Sequence, residues 1–189
     1  MVEIPRDIAN ELAPAEKVLW AGQPRQGIIL RGFDALLLPF FLVWTGGVGA
    51  AAVAMLRAPK TDMVGIIMMS VIFVPVGLYA LVGRFFVEAR QRSRTFYAVT
   101  SERIVIVFGL FSRTVKSIEL KSLGEMALSE RRNGSGSIVF GPSSPFDWMY
   151  GGAAGFPGMA SRMAARFEAI PSVRSVYETI RSAQRALAK

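Results

Sequence analysis

Hydrophobic and polar positions change their rhythm twice along this chain. Residues 1–34 are polar and mixed in charge. Residues 35–56 and 63–83 then form two apolar runs without a charged side chain, separated by Arg57-Ala58-Pro59-Lys60-Thr61-Asp62. Each run exceeds the length of about 18 uncharged residues that marks a membrane-spanning candidate. At 1.5 Å per residue the first reaches roughly 33 Å, enough for a hydrocarbon layer of about 30 Å. Phe40-Phe41-Leu42-Val43-Trp44 and Ile66-Ile67-Met68-Met69 are apolar around the whole circumference of a helix, whereas helices of soluble cores are commonly shorter and keep a polar stripe. The pattern therefore predicts a transmembrane helical hairpin over 35–83. It is expected to stay in the mature chain, because the polar first 34 residues do not have the form of a signal peptide.

Beyond Arg94 the long apolar runs give way to short strands with turn signals. Residues 95–100 are aromatic and β-branched, Ser101-Glu102-Arg103 makes a polar turn, and Ile104-Val105-Ile106-Val107-Phe108 predicts a strand covered on both faces or central in its sheet. Gly109 breaks it. Further strands are expected over 114–120, 125–130 and 137–140, the last two joined by Asn133-Gly134-Ser135-Gly136, residues that tolerate a positive φ. From Ser172 the period becomes helical, with Val173, Val176, Tyr177, Ile180, Ala183 and Leu187 on one stripe and Ser172 as the expected N-cap. In the N-terminal segment, Ile8 and Leu12 suggest a short helix, and 17–21 reads as a strand. Trp20 is left between two placements, on the sheet domain or at a membrane interface.

Charge sets the expected orientation. Arg6, Lys17, Arg25 and Arg31 lie before the hairpin, Arg84, Arg90, Arg92, Arg94 and Arg103 after it, and Arg57 and Lys60 in the loop between. Lys and Arg favour the cytoplasmic side, so both termini are expected there. Inside the first run, Gly46, Ala50 and Ala54, and likewise Gly47 and Ala51, recur every four residues, the spacing of close helix approach. Pro75 predicts a kink in the second run. Neither run contains an acidic residue or histidine, so no intramembrane proton relay is built in.

Composition narrows the chemistry. The chain of 189 residues has a formal charge of +8 and neither cysteine nor histidine. Disulfides, thiolate metal sites, cysteine nucleophiles and the commonest general base are thereby excluded. G-x-S-x-G, S-x-x-K and P-loop patterns do not occur in the segments outside the hairpin. No enzyme activity, cofactor or metal is expected. Residues 85–189 carry fifteen cations against eight anions, which suits a surface beside anionic lipid. Nucleic acid is not expected as a partner, because an interleaved Lys–aromatic patch is missing.

Phe96-Tyr97-Ala98-Val99-Thr100-Ser101-Glu102-Arg103-Ile104 resembles the aromatic-x-(Val/Leu)-Thr-x-x-Arg-Ile signature of bacterial pleckstrin-homology-like domains. Gly109, Phe167-x-x-Ile170 and Val176-Tyr177-x-x-Ile180 resemble that family's later pattern. Glu16-Lys17-Val18-Leu19-Trp20-x-Gly22-x-Pro24 resembles the segment that precedes the hairpin in its membrane-anchored members. The resemblance implies an α+β membrane protein of a bacterial plasma (inner) membrane: a two-helix hairpin followed by a PH-like bent antiparallel β-barrel capped by a C-terminal helix. It divides the chain into a cytoplasmic segment 1–34, the hairpin 35–83 and a PH-like domain 84–189, and implies a binding or assembly role rather than catalysis. Two departures stand out: Ala15 replaces the commoner glycine, and 141–160 is a long Gly/Pro/aromatic insertion. Arg103 has two readings, as a structural ion-pair partner or as a ligand contact.

Candidate contacts with the lipid surface are Arg84, Arg90, Arg92, Arg94, Arg131 and Arg132, the first four having as alternative a purely topological role. The insertion carries Phe146, Trp148, Tyr150 and Phe156 as a candidate interface loop, with three readings: cover for the domain's own edge, insertion into the leaflet, or contact with another subunit or protein. The leading expectation is a non-enzymatic, membrane-anchored module that recruits or organises a protein partner, or copies of itself, at the cytoplasmic face. Recognition of anionic membrane lipids by the basic face is the alternative.

Overall fold

The computed structural model describes residues 5–14, 16–30, 32–58, 63–110, 112–141 and 164–187. In chain order these form α1 (Arg6–Ala9), β1 (Val18–Gly22), α2 (Asp34–Leu56), α3 (Met63–Leu78), a π-helical turn (Tyr79–Gly83), α4 (Arg84–Ser93), β2 (Phe96–Thr100), β3 (Arg103–Phe108), β4 (Thr114–Glu119), β5 (Met126–Glu130), β6 (Gly136–Phe140), β7 (Arg166–Ile170) and α5 (Val173–Leu187). The molecule is α+β, with two apolar helices followed by antiparallel sheets and a closing C-terminal helix.

Two helices are long and apolar enough to cross a membrane, Asp34–Leu56 and Met63–Ser93. The second exceeds its expected length by a full α4. After Gly83 it does not stop; a π turn, four residues past Pro75, carries it on to Ser93. A π turn inside a helix shifts the phase of the faces that follow, and here it separates the apolar α3 from the charged α4. The seam between α2 and α3 also differs from expectation. Gly46, Gly47 and Gly49 have open space where a Cβ would sit, so the small-residue stripe of α2 faces away from α3. The close approach is made at Gly77, where a Cβ would strike the Thr45 hydroxyl, with the Trp44 and Phe73 rings 5.9 Å apart. Aromatic contact and one glycine on the second helix decide this pairing.

The strands form a four-stranded sheet in the order β1-β2-β3-β4 and a three-stranded sheet in the order β5-β6-β7, all neighbours antiparallel. The closed barrel implied by the resemblance is not formed among the described residues. Between β4 and β5 the chain turns through Leu120 and Leu123, whose buried side chains fill the corner. On the other side, the Arg25 N–H donates to the Ala169 carbonyl at 2.8 Å, beyond the end of β1.

β3 is central in its sheet and covered on both faces, as its unbroken apolar run predicts. Ile104 and Ile106 enter the main core with Tyr97, Phe140, Phe167, Val176 and Ile180. Val105 and Val107 face the other way and pack with Ala98 beneath Ile8 of α1. Phe167 stands at the centre, with ring centroids 4.7 Å from Tyr97, 5.0 Å from Phe140 and 5.5 Å from Trp20. Burying a side chain of this size contributes about 1.5–3 kcal/mol. Trp20 therefore belongs to the sheet domain. α5 buries Val173, Val176, Ile180 and Ala183, the expected stripe, but Ser172 enters it with a left-handed backbone (φ 48°) rather than the extended backbone of a side-chain cap.

β7 was not legible from alternation, and its geometry gives the reason. Phe167 and Ile170 both point into the core, although an odd spacing puts residues on opposite faces of a regular strand. Ile138 pairs with Phe167 and Gly136 with Ile170, so three steps on β7 oppose two on β6. Ala169, in left-handed backbone at φ 51°, absorbs the extra residue as a bulge and turns Ile170 inward.

At the other end of that pairing, a Cβ on Gly136 would collide with the Ser129 carbonyl oxygen and lie 2.7 Å from Val173 Cγ1. Backbone and helix there have no room to yield. Gly136→Ala is expected to lower stability by about 1–3 kcal/mol, seen as a reduced melting midpoint of the full-length protein, while Gly134→Asn, at φ 73° with open space, changes it far less.

Candidate functional site

The signature residues of the sheet domain converge on a buried carboxylate. Glu16 Oε1 accepts hydrogen bonds from the Thr100 hydroxyl (2.7 Å) and Arg103 Nε (2.9 Å), and its Oε2 accepts from Arg103 Nη2 (2.8 Å) and the Ala13 N–H (3.0 Å). Arg103 Nη2 also donates to the Glu11 carbonyl at 2.8 Å. The Thr100 Oγ1 meanwhile accepts from the Arg103 N–H and closes the β2–β3 turn. A two-point guanidinium–carboxylate fork is among the strongest charge-assisted arrangements. Arg103 is thus a structural ion-pair partner that ties the N-terminal segment to the β2–β3 turn.

The Arg103 guanidinium bonded to Glu16 holds that carboxyl down to about 2 from an ordinary 4.5, against the opposing effect of burial. The same bond raises Arg103 above its usual value.

α4 is amphipathic in an inverted sense. Arg84, Glu88 and Arg92, spaced by four, are buried, whereas Phe86, Arg90 and Arg94 on the next stripe are exposed. Arg84 Nη2 lies 2.7 Å from Asp34 Oδ1 at the start of α2, and both side chains are more than nine-tenths buried. Arg92 lies 3.5 Å from Glu88 Oε1, and its backbone carbonyl accepts from the Gln26 amide at 3.4 Å. Phe86 stays 63% exposed.

Between α4 and the two sheets lies a small cavity of about 80 Å³. Glu88, Gln91 and Arg92 line it from α4, Tyr97, Phe108 and Lys116 from the first sheet, and Arg166 and Glu168 from β7. Tyr97 is buried and its oxygen accepts the Glu168 N–H at 3.2 Å. Burial first, and then the Glu168 charge, push its phenol up, so it stays neutral and serves as a hydrogen-bonding group. Burial, with Arg166 nearby, lowers Lys116, whose ammonium sits 5.6 Å from the Phe108 ring centre. The cleft offers both signs of charge around an apolar floor, a lining suited to a polar side chain of a partner. Among the described residues no group of carboxylates is arranged to hold a metal ion.

The structure divides the expected lipid contacts. Arg84 and Arg92 are buried in ion pairs, so neither meets a lipid surface in this structure: the inward stripe of α4 has to neutralise Asp34 and Glu88. Arg90 and Arg94 are exposed at the foot of the hairpin. Arg131 and Arg132 are exposed at the turn between β5 and β6. Phe146, Trp148, Tyr150 and Phe156 lie outside the described residues, as does Ala15. Sequence reasoning missed the cleft, whose residues come from α4 and strands β2 to β4 and β7. It also set Asp34 outside the first helix, although an acidic residue at the edge of an apolar run is a signal for a buried cation partner.

The family model described as bacterial PH domain matches residues 33–184. No curated protein and no solved structure matches the chain.

Two outcomes test this geometry. The Glu16 fork is complete above the ordinary carboxyl value of 4.5 and is lost as pH falls toward about 2, contributing about 3 kcal/mol at neutral pH. Glu16→Gln is expected to lower stability by about that amount at pH 7 and to flatten the loss of stability between pH 5 and 2, both read from melting midpoints across pH. Asp34→Leu alone leaves Arg84 buried without its carboxylate and is expected to cost about 3–5 kcal/mol, while Asp34→Leu with Arg84→Leu recovers most of the loss, measured as a double-mutant cycle in detergent.

Proposed function

This chain belongs to the bacterial PH domain family, whose domains are in general non-catalytic binding modules, and on that footing we propose that it is a membrane-anchored module that recruits or organises a protein partner at the cytoplasmic face. The observation that carries the anchoring is the inversion of exposure at the hairpin. Val43, Val64, Met68 and Val71 are 60–74% exposed, while Arg84, Glu88 and Arg92 just below them are buried. In water that arrangement costs free energy on both counts. In a bilayer the apolar helices meet lipid and the paired charges are shielded within the protein. Both termini lie in the cytoplasm, by the excess of Lys and Arg flanking the hairpin, and the membrane is the bacterial inner membrane.

α4 continues the second spanning helix and reaches β2 through Arg94 and Thr95 alone, so the sheet domain stands directly on the membrane surface. The partner site is the cleft beneath α4, where Lys116 and Arg166 face Glu88 and Glu168. Phe146, Trp148, Tyr150 and Phe156, which lie outside the described residues, are proposed as an interface loop. Anionic-lipid recognition is the second reading, favoured by the exposure of Arg90, Arg94, Arg131 and Arg132.

Membranes from cells expressing the full-length protein, with a photo-crosslinking residue replacing Lys116, are expected to yield a discrete adduct that alkaline carbonate does not strip from the membrane fraction. Recovery of monomer alone from repeated irradiation would remove the partner site. Protein found dispersed in the aqueous fraction without detergent would remove the anchor.

A further inference from the structure

The outward stripe of α4 has the order a phospholipid has. Val82 is 53% exposed at the end of the apolar helix, Phe86 follows one turn later, Arg90 one turn after that, and Arg94 a turn beyond. At 1.5 Å per residue the four span about 18 Å along the axis. If Phe86 sits at the edge of the hydrocarbon, Arg90 is about 6 Å deeper into the polar layer, whose thickness per leaflet is about 5–8 Å.

A shallow groove of about 460 Å³ runs along this stripe, lined by Phe86, Val87, Arg90, Arg94 and Leu110. Arg94 Nη1 donates to the Leu110 carbonyl at 2.7 Å, which places the guanidinium on the turn after β3. The acidic residue of α4, Glu88, faces inward, so no carboxylate of this helix competes for the two guanidiniums.

From this geometry we infer that Arg90 and Arg94 form a site for the phosphate of one anionic phospholipid, with its acyl chain lying along Phe86 and Val82. The site rests on the membrane-anchored reading and goes beyond it by assigning two residues, a groove and a headgroup class. Charge complementarity selects the occupant: two exposed cations in one groove, Arg90 at headgroup depth and Arg94 one turn beyond it, continuous with an apolar helix face, match an anionic headgroup on a chain better than a zwitterionic one. From the general attraction of an Arg to an anionic surface, the pair is expected to give about a thirtyfold preference.

The test uses full-length protein in detergent, titrated separately with phosphatidylglycerol, phosphatidylcholine and inorganic phosphate, with bound lipid counted by native mass spectrometry. Phosphatidylglycerol is expected to bind about thirtyfold more tightly than phosphatidylcholine, and inorganic phosphate in millimolar excess is expected not to displace it. Arg90→Gln/Arg94→Gln is expected to abolish the preference, Arg90→Lys/Arg94→Lys to keep most of it, and Arg131→Gln/Arg132→Gln to leave it intact. Melting midpoints matching the parent show that the variants are folded; the Lys pair decides the matter if the Gln pair is not. Equal binding of the two lipids overturns the site, as does displacement by phosphate or loss of preference only in the 131/132 variant. The anchored reading fails separately, by solubility without detergent.

Discussion

The ion pair between Asp34 and Arg84 is the constraint on which the arrangement of the molecule depends. It joins the first residue of α2 to the first residue of α4, on elements fifty residues apart in sequence. Both side chains are buried at the base of two apolar helices, where an unmatched charge is expensive. The helices can therefore meet at that level only if these two residues meet. That fixes how far α3 must run before α4 begins, and hence where the sheet domain starts. The π turn at Tyr79–Gly83 lies directly before Arg84. It adjusts the phase by which that arginine arrives at Asp34.

A second buried fork does for the sheet domain what the first does for the hairpin. Glu16 bonds Thr100 and Arg103 together with the backbone of Ala13, so the segment before β1 is locked onto the β2–β3 turn. The residues of the family-like signature turn out to be the ones that make this fork. A motif of this kind reports a fold more directly than a ligand, because its chemistry is consumed inside the protein. Binding must be sought where charge faces outward or lines a cleft.

Those places lie on either side of α4. Its inward stripe closes the cleft between the sheets, with Glu88 and Arg92 opposite Lys116, Arg166 and Glu168. Its outward stripe carries Phe86 and Arg90, with Arg94 at its C-terminal cap. One ten-residue helix thus separates the proposed lipid site from the proposed partner cleft, and it continues the second apolar helix without a break. In the anchored reading, the cleft is held just beneath the membrane and cannot tumble away from it.

The apolar runs, the covered central strand Ile104-Val105-Ile106-Val107-Phe108, the hairpin at Gly134 and the stripe of α5 were legible from the chain alone. Each rests on periodicity or on a residue with a special backbone, and both are local properties. Tertiary structure alone decided which glycine the helices meet on, because Gly46 and Gly77 are alike in sequence and differ only in what stands opposite. It also showed that Arg84 and Arg92 are internal while Arg90 and Arg94 are not, since a run of arginines does not state which ones have a carboxylate waiting across fifty residues or one turn. β7 stayed hidden because its bulge at Ala169 breaks the alternation by which strands are read. Local pattern fixes the elements; which charges are spent on one another is settled only when distant segments come together.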